Sequence, residues 1–169
     1  EKGTPGLMSS KQFDKIGTKT ASISEITFNR CRIPKENRFG GEGRGIGNLM
    51  RTLAEIRTMT AALSVGLARA AFEESMKYAS ERVQFGRPIE KFQLIQSKLS
   101  QMATNIEASR MLTYNASKMI DEGKECMMEA SMAKYFASET ACNASDEATR
   151  IFGSYSYSTE YPIQRFWCD

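Results

Sequence analysis

The chain has 169 residues, 41% of them hydrophobic and 25% charged, with a net charge of +3 and no histidine. That fits one ordinary domain, or one domain with part of another, of globular composition. It argues against a nucleic-acid partner, provides no apolar run near the ~20 residues of a membrane span, and excludes Ser-His-Asp and Cys-His mechanisms within the chain.

Residues 1–42 read as irregular and strand-like. The opening Glu1-Lys2-Gly3-Thr4-Pro5 has no initiator Met and no apolar leader, and looks cut from a longer chain. Pro5-Gly6 reads as a turn. Ile23–Phe28 leans towards β, with Ile26 and Phe28 on one face. Beyond Asn29-Arg30 the apolar positions move to Cys31 and Ile33, as a bulge would move them. One or two strands cannot make a sheet alone, so this stretch is expected to be the tail of a β domain whose other strands lie upstream.

From Gly45 the period becomes helical. Ile46, Met50, Leu53, Ile56, Thr60, Leu63, Leu67 and Ala70 predict the buried stripe of a helix of roughly 35 residues, about 50 Å long, running to about Ser80. Arg82–Pro88 interrupts it. A second helix carries Phe92, Ile95, Leu99, Met102, Ile106, Leu112, Ala116 and Ile120 on one stripe and ends at Gly123. A third starts near Glu125 with an alanine face at Ala130, Ala133, Ala137, Ala141, Ala144 and Ala148, small enough for two helices to approach closely. Ordinary bundle packing accounts for these stripes. The fold class expected is mainly α: an antiparallel up-and-down four-helix-bundle type with three long helices, the fourth lying beyond Asp169. The domains expected are 1–42 and 43–169.

Cys31, Cys126, Cys142 and Cys168 form no CxxC pair and no regular disulfide spacing. They read as reduced thiols of a cytoplasmic or organelle-matrix protein, and no metal site is expected. Acid–base chemistry must therefore fall to Asp, Glu, Lys, Tyr or Cys. Near the chain's end Gly153 can close a helix in the left-handed conformation. Pro162 fixes its own φ and biases Tyr161 away from helical geometry. Glu160 thus lies on a short constrained segment that could hold an acid rigidly, although a lone Glu in a loop is more often solvated surface than catalyst.

Several segments, in this order, carry a resemblance: Lys2–Gly6, Ile26–Phe28 with Ile33–Asn37, Ala54-Glu55-Ile56-Arg57, Val65-Gly66-Leu67-Ala68, Glu81-Arg82-Val83-Gln84-Phe85-Gly86, Phe92-Gln93, Ala133-Lys134, and Ile151 through Asp169. Together they resemble the acyl-CoA dehydrogenases, FAD-dependent enzymes that desaturate acyl thioesters between the α and β carbons. The resemblance implies FAD as cofactor and an acyl-CoA or carrier-protein thioester as substrate. It further implies an electron-transfer flavoprotein as partner, a homotetramer or dimer, and a location in the cytoplasm or mitochondrial matrix.

Site roles follow by resemblance. Glu160 matches a base that removes the α-proton, a task that suits a carboxylate held in a water-poor site. Some members carry the base on the first bundle helix, where this chain has Ile56, which cannot accept a proton; Glu55 points about 100° away. Arg57 matches an arginine near the CoA portion of the substrate, and Tyr161 is grouped with it. Arg82, Gln84 and Phe85 match residues that reach the adenine-dinucleotide part of FAD on a neighbouring subunit, a pairing that suits guanidinium and pyrophosphate. Gln93 matches a further flavin contact. Arg150 and Gly153 fall in the loop that approaches FAD.

The chain departs from the family there. The usual Gly-Gly-x-Gly-Tyr is Gly153-Ser154-Tyr155-Ser156-Tyr157, the preceding Gln is Arg150, and the Arg before the terminal Asp is Cys168. Three alternatives stay open beside the dehydrogenase. They are an enoyl-thioester reductase, a dehydrogenase of carrier-protein thioesters, and a non-catalytic helical-bundle scaffold of the same descent.

Overall fold

The computed structural model describes residues 2–169, which divide into two compact units: the N-terminal stretch through Asn48 together with Cys168 and Asp169, and Leu49–Trp167. In the first, β1 (Leu7–Ser9) pairs antiparallel with β2 (Ile26–Phe28), Met8 opposite Thr27. The turn expected at Pro5-Gly6 leads into β1, with the Leu7 N–H donating to the Thr4 carbonyl at 3.0 Å. Pairing continues loosely through Ser10 N–H to Glu25 O and Phe13 N–H to Ile23 O, both 2.9 Å. The bulge expected after Asn29 is not there. β2 stops at Phe28 and Arg30 turns the chain with φ 49°, because no strand among the described residues pairs with Cys31–Ile33.

Three long helices build the second unit, with α1 (Gly45–Glu81) starting in the first: α1, α2 (Gln93–Asp121) and α3 (Met127–Phe152), followed by the short α4 (Ile163–Cys168). Two clusters of buried residues fix their directions. One joins Ala54 and Ala61 of α1, Ala116 of α2, and Cys126, Ala130 and Ala133 at the start of α3. The other joins Ala79 of α1, Leu99 of α2, and Ala148, Ile151 and Phe152 at the end of α3. So α1 and α3 run together and α2 runs against both, the up-and-down arrangement expected. The predominantly helical class expected from the sequence is the class observed.

The six alanines expected on one face of α3 are all buried. On α2 the expected stripe is buried at Leu99, Met102, Ile106 and Ala116 and half-buried elsewhere. It ends as expected, with Gly123 at φ 67° sending its N–H to the Ile120 carbonyl. The α1 face is a correction. The residues it buries are Ala54, Thr58, Ala61, Ala68, Ala71, Ser75 and Ala79, one residue on from the expected stripe, a rotation of about 100°. Ile46 and Leu63 of that stripe are 73% and 75% exposed. The physical reason is proximity: α1's small side chains turn inward where the three helices share clusters, while Ile46, Met50, Ile56 and Leu63 stand exposed and Leu67 packs at a cluster's edge.

The buried hydroxyls of this bundle are satisfied locally. Ser75 and Thr113 donate to carbonyls four residues back, which spares a buried hydroxyl an unpaired proton. Ser109 also reaches across to Thr140 Oγ1 at 3.0 Å, a bond from α2 to α3. At the α2 N-terminal end Lys98 and Glu147, both half-buried, form an ion pair.

Candidate active site

The expected break at Arg82–Pro88 is a two-residue hairpin. β3 (Val83–Gln84) pairs with β4 (Arg87–Pro88), joined by Phe85 and Gly86 at φ 52° and 78°. Two successive positive φ values are those of a type I′ turn, which needs such residues at both central positions. Glycine accepts this readily; phenylalanine does so at a cost. The Phe85 ring is 93% exposed, and its only ring partner among the described residues is Phe92, edge-on at 6.2 Å. Gln84 and Gln93 are exposed, the Gln84 side chain donating to the neighbouring Val83 carbonyl.

Beside the hairpin lies an aromatic cluster. Tyr78 stacks on Phe152 at 4.1 Å; Tyr161 stands edge-on to Phe152, Tyr155 and Tyr78 at 5.4, 5.8 and 6.0 Å. The Arg82 guanidinium sits over the Tyr155 ring at 5.5 Å. Burial pushes the Tyr78 phenol up, with Tyr161 and Tyr155 adding to it and Arg82 opposing. Tyr161 is therefore seated among rings. Tyr78, Phe152 and Tyr155 were not singled out from the sequence. Their one signal was position: each lies near the end of a helix or in the turn that follows.

Glu160 sits next to this cluster on an exposed turn. Its N–H donates to Ser158 Oγ at 3.2 Å and the Tyr161 N–H to the Ser158 carbonyl at 3.3 Å. Gly153 closes α3 with positive φ, as expected, but at φ 60°, ψ −134°, outside the left-handed helical region and in territory glycine alone enters readily. A Cβ there would meet nothing within 4 Å, so backbone conformation and not crowding demands the glycine. Arg150 is committed within α3, to Asp146 at 2.7 Å and Glu147 at 2.6 Å.

Arg57 lies elsewhere. It is half-buried on α1, and its Nη1 donates to Met127 Sδ at 2.8 Å and Ser131 Oγ at 2.9 Å. Those partners open α3, whereas Phe152, against Tyr161, closes it. Twenty-one residues of helix, about 30 Å, separate the two ends. The structure thus brings Arg82, Tyr161 and Glu160 to one end with Phe85 and Gln93 on the adjoining connector, and leaves Arg57 at the other. Near Arg57, Cys126 is buried, its thiol pushed up by burial and then by Glu129 and Glu55. No group of His, Cys, Asp and Glu among the described residues can hold a metal, and no described helix is long and apolar enough to cross a membrane.

Comparison with known proteins gives these features a context. The family model for the acyl-CoA dehydrogenase C-terminal domain matches residues 43–169. Benzylmalonyl-CoA dehydrogenase of Aromatoleum aromaticum is 44% identical over all of this chain and 45% of its own length. The caffeyl-CoA reductase–Etf complex subunit CarC of Acetobacterium woodii is 40% identical over 97% of this chain and 43% of its own. A solved structure of PigA with FAD and proline is 30% identical, with a TM-score of 0.96 over 100% of this chain and 44% of that one. The chain spans 40–45% of the length of the curated relatives it matches. With a family model over three-quarters of its residues and a helical bundle of the same shape, the chain belongs to the acyl-CoA dehydrogenase family.

Proposed function

We propose that this chain is part of an FAD-dependent enzyme that desaturates an acyl-CoA thioester between its α and β carbons. Its domains would be the end of a β domain over 1–42 and a helical bundle over 43–169. The observation that carries the cofactor is the connector from Arg82 to Gln93. It presents a guanidinium that no described carboxylate neutralises, two exposed amides and an almost uncovered ring. Those groups fit a dinucleotide: the guanidinium its phosphates, the ring and amides its base and sugar edges. Arg150 fits less well, since two carboxylates already occupy it. When bound, FAD supplies the acceptor for the β-hydride.

The chain's own residues bind, orient and take a proton. Arg57, braced by Met127 and Ser131, is proposed to meet the anionic CoA portion. Glu160 is the base this chain offers for the α-proton, with Tyr161 seating its turn on the bundle. Because Glu160 and Arg57 of one copy lie about 30 Å apart along α3, Glu160 serves that role only beside another copy's substrate end. The same separation, and the open setting of Glu160, favour a second reading in which the base is a carboxylate outside these residues, at the Arg57 end. A homotetramer or dimer would also cover the apolar side of α1, where Ile46 and Leu63 stand exposed. An electron-transfer flavoprotein is the proposed electron partner, in keeping with the name of the CarC relative; that name also keeps the reductive direction in play. A cytoplasmic or matrix location suits four free thiols.

The test mixes full-length protein, loaded with FAD, anaerobically with saturated acyl-CoAs and follows bleaching of the visible flavin band. Rapid bleaching is expected. Glu160→Gln slows it about 10²–10⁴-fold if Glu160 is the base and leaves it unchanged if the base lies elsewhere. A protein that holds flavin but responds to no acyl-CoA points to carrier-protein thioesters or the reductive direction. One that holds no flavin sinks the enzyme reading and promotes a non-catalytic scaffold.

A further inference from the structure

The hairpin carries a second arginine that none of the site roles above uses. Among the described residues the arginines paired with carboxylates are Arg38, Arg69, Arg110 and Arg150. Arg82 and Arg87 are paired with none. Each instead lies over a ring: Arg82 over Tyr155 at 5.5 Å and Arg87 over Phe92 at 4.3 Å. An aromatic face attracts and orients a guanidinium without cancelling its charge. That is the reverse of Arg150, whose charge Asp146 and Glu147 meet directly.

The strand register brings the two cations together. Gln84 is opposite Arg87 and Val83 opposite Pro88, and the Ile89 N–H donates to the Arg82 carbonyl at 2.8 Å, extending the pairing by one step. Arg82, Gln84 and Arg87 therefore share one face of the ribbon, and Val83 and Pro88 take the other. Arg82 and Arg87 are diagonal neighbours, whose backbones stand about 7–8 Å apart. Two uncompensated cations on one face of a ribbon repel. A ligand with two adjacent anionic groups removes the repulsion, and two long guanidinium arms can converge on it with Gln84 between them.

We propose that Arg87, held by Phe92, acts with Arg82, held by Tyr155, as a two-point clamp for the adjacent phosphates of a diphosphate-bearing ligand. On the function proposed above, from which this follows, that ligand is FAD. Arg87 is a binding residue; Tyr155 and Phe92 are positioning residues, which aim a charge they do not neutralise.

The test measures dissociation constants of full-length apoprotein for FAD and ADP, which carry the diphosphate, and for riboflavin, which does not, at low and moderate salt. Arg87→Ala is expected to weaken FAD and ADP about tenfold, with a shallower salt dependence and no change for riboflavin. Arg87→Lys restores part of the loss, showing that the variant folds and that charge is what was removed. Val83→Thr, on the opposite face, leaves all three unchanged. Tyr155→Phe keeps the affinity that Tyr155→Leu loses. If Arg87→Ala binds FAD as tightly as the parent with the same salt dependence, the clamp is overturned and the flavin enzyme stands. If the parent binds ADP through Arg87 but no FAD, the clamp stands and the flavin reading falls. Binding of neither by the parent overturns both.

Discussion

The α2–α3 seam and the hairpin-and-turn end of the same unit follow opposite rules. Along the seam α3 presents small, buried side chains to the larger buried ones of α2; Ala130, Ala133 and Ala137 are fully covered, and Leu99, Met102 and Ile106 pack opposite that helix. At the other end they are large, aromatic or charged, and many are uncovered, Phe85 at 93% and Tyr157 at 87%. The seam gains by letting backbones approach. The end carries positive-φ residues, exposed rings and unneutralised arginines, features that cost stability and make sense where a ligand or another chain is to be met. One region is organised to fold and the other to bind.

The largest effect that would break this contrast is steric. Ala137→Leu should destabilise the full-length protein by about 3 kcal/mol, since added methylenes in a packed seam force the helices apart; a thermal melt unchanged from the parent would mean the seam is loose. At the other end, Gly153→Ala should cost about 2 kcal/mol with no clash at all, because the loss is conformational. Gly66→Ala, on the exposed surface of α1 with equally free space, should instead stabilise by about 0.5–1 kcal/mol. Equal effects from the two glycines would remove the argument for a special backbone at Gly153.

A smaller effect concerns Tyr78, whose phenol is held above 10.0, chiefly by burial. The folded chain keeps that proton after the unfolded chain has lost it. Its contribution is therefore constant below about pH 10 and turns against the fold as pH rises further. Tyr78→Phe should shrink the alkaline loss of stability, read from melts between pH 8 and 11 (roughly the range that brackets the phenol). The smallest expected effect is kinetic. Cys142, exposed, should alkylate well before Cys126, buried and with its thiol pushed up. The reverse order, by mass spectrometry of peptides, would put Cys126 outside the packed region.

Much of this was legible in the sequence. Three helices, the two chain breaks and the alanine face of α3 follow from period and punctuation, because glycine, proline and small-residue spacing act locally. The burial of α1 was misread by one residue. Periodicity measures where large apolar groups recur, and on α1 several of those groups, Ile46, Ile56 and Leu63 among them, are exposed, so Ala54, Ala61 and Ala68 gave the weaker signal for the stronger packing. The site was legible only as separate motifs. Nothing local in Arg57 says that Ser131 will hold it at one end of α3 while Tyr161 packs at the other, and nothing in Arg87 says that Phe92 will lie under its charge. Those facts depend on where helices end in space.

A stripe of alanines is smooth, and a smooth surface does not choose between neighbouring alignments. The Ser109–Thr140 hydrogen bond does. A slip of one helical turn would displace α3 by 5.4 Å along α2, enough to part that bond and to carry Phe152, Tyr155 and Tyr161 out of reach of Tyr78 and Arg82. Together with the Lys98–Glu147 ion pair, this cross-helix hydroxyl pair acts as an alignment mark, setting from mid-seam the position of a turn on the order of 20 Å away.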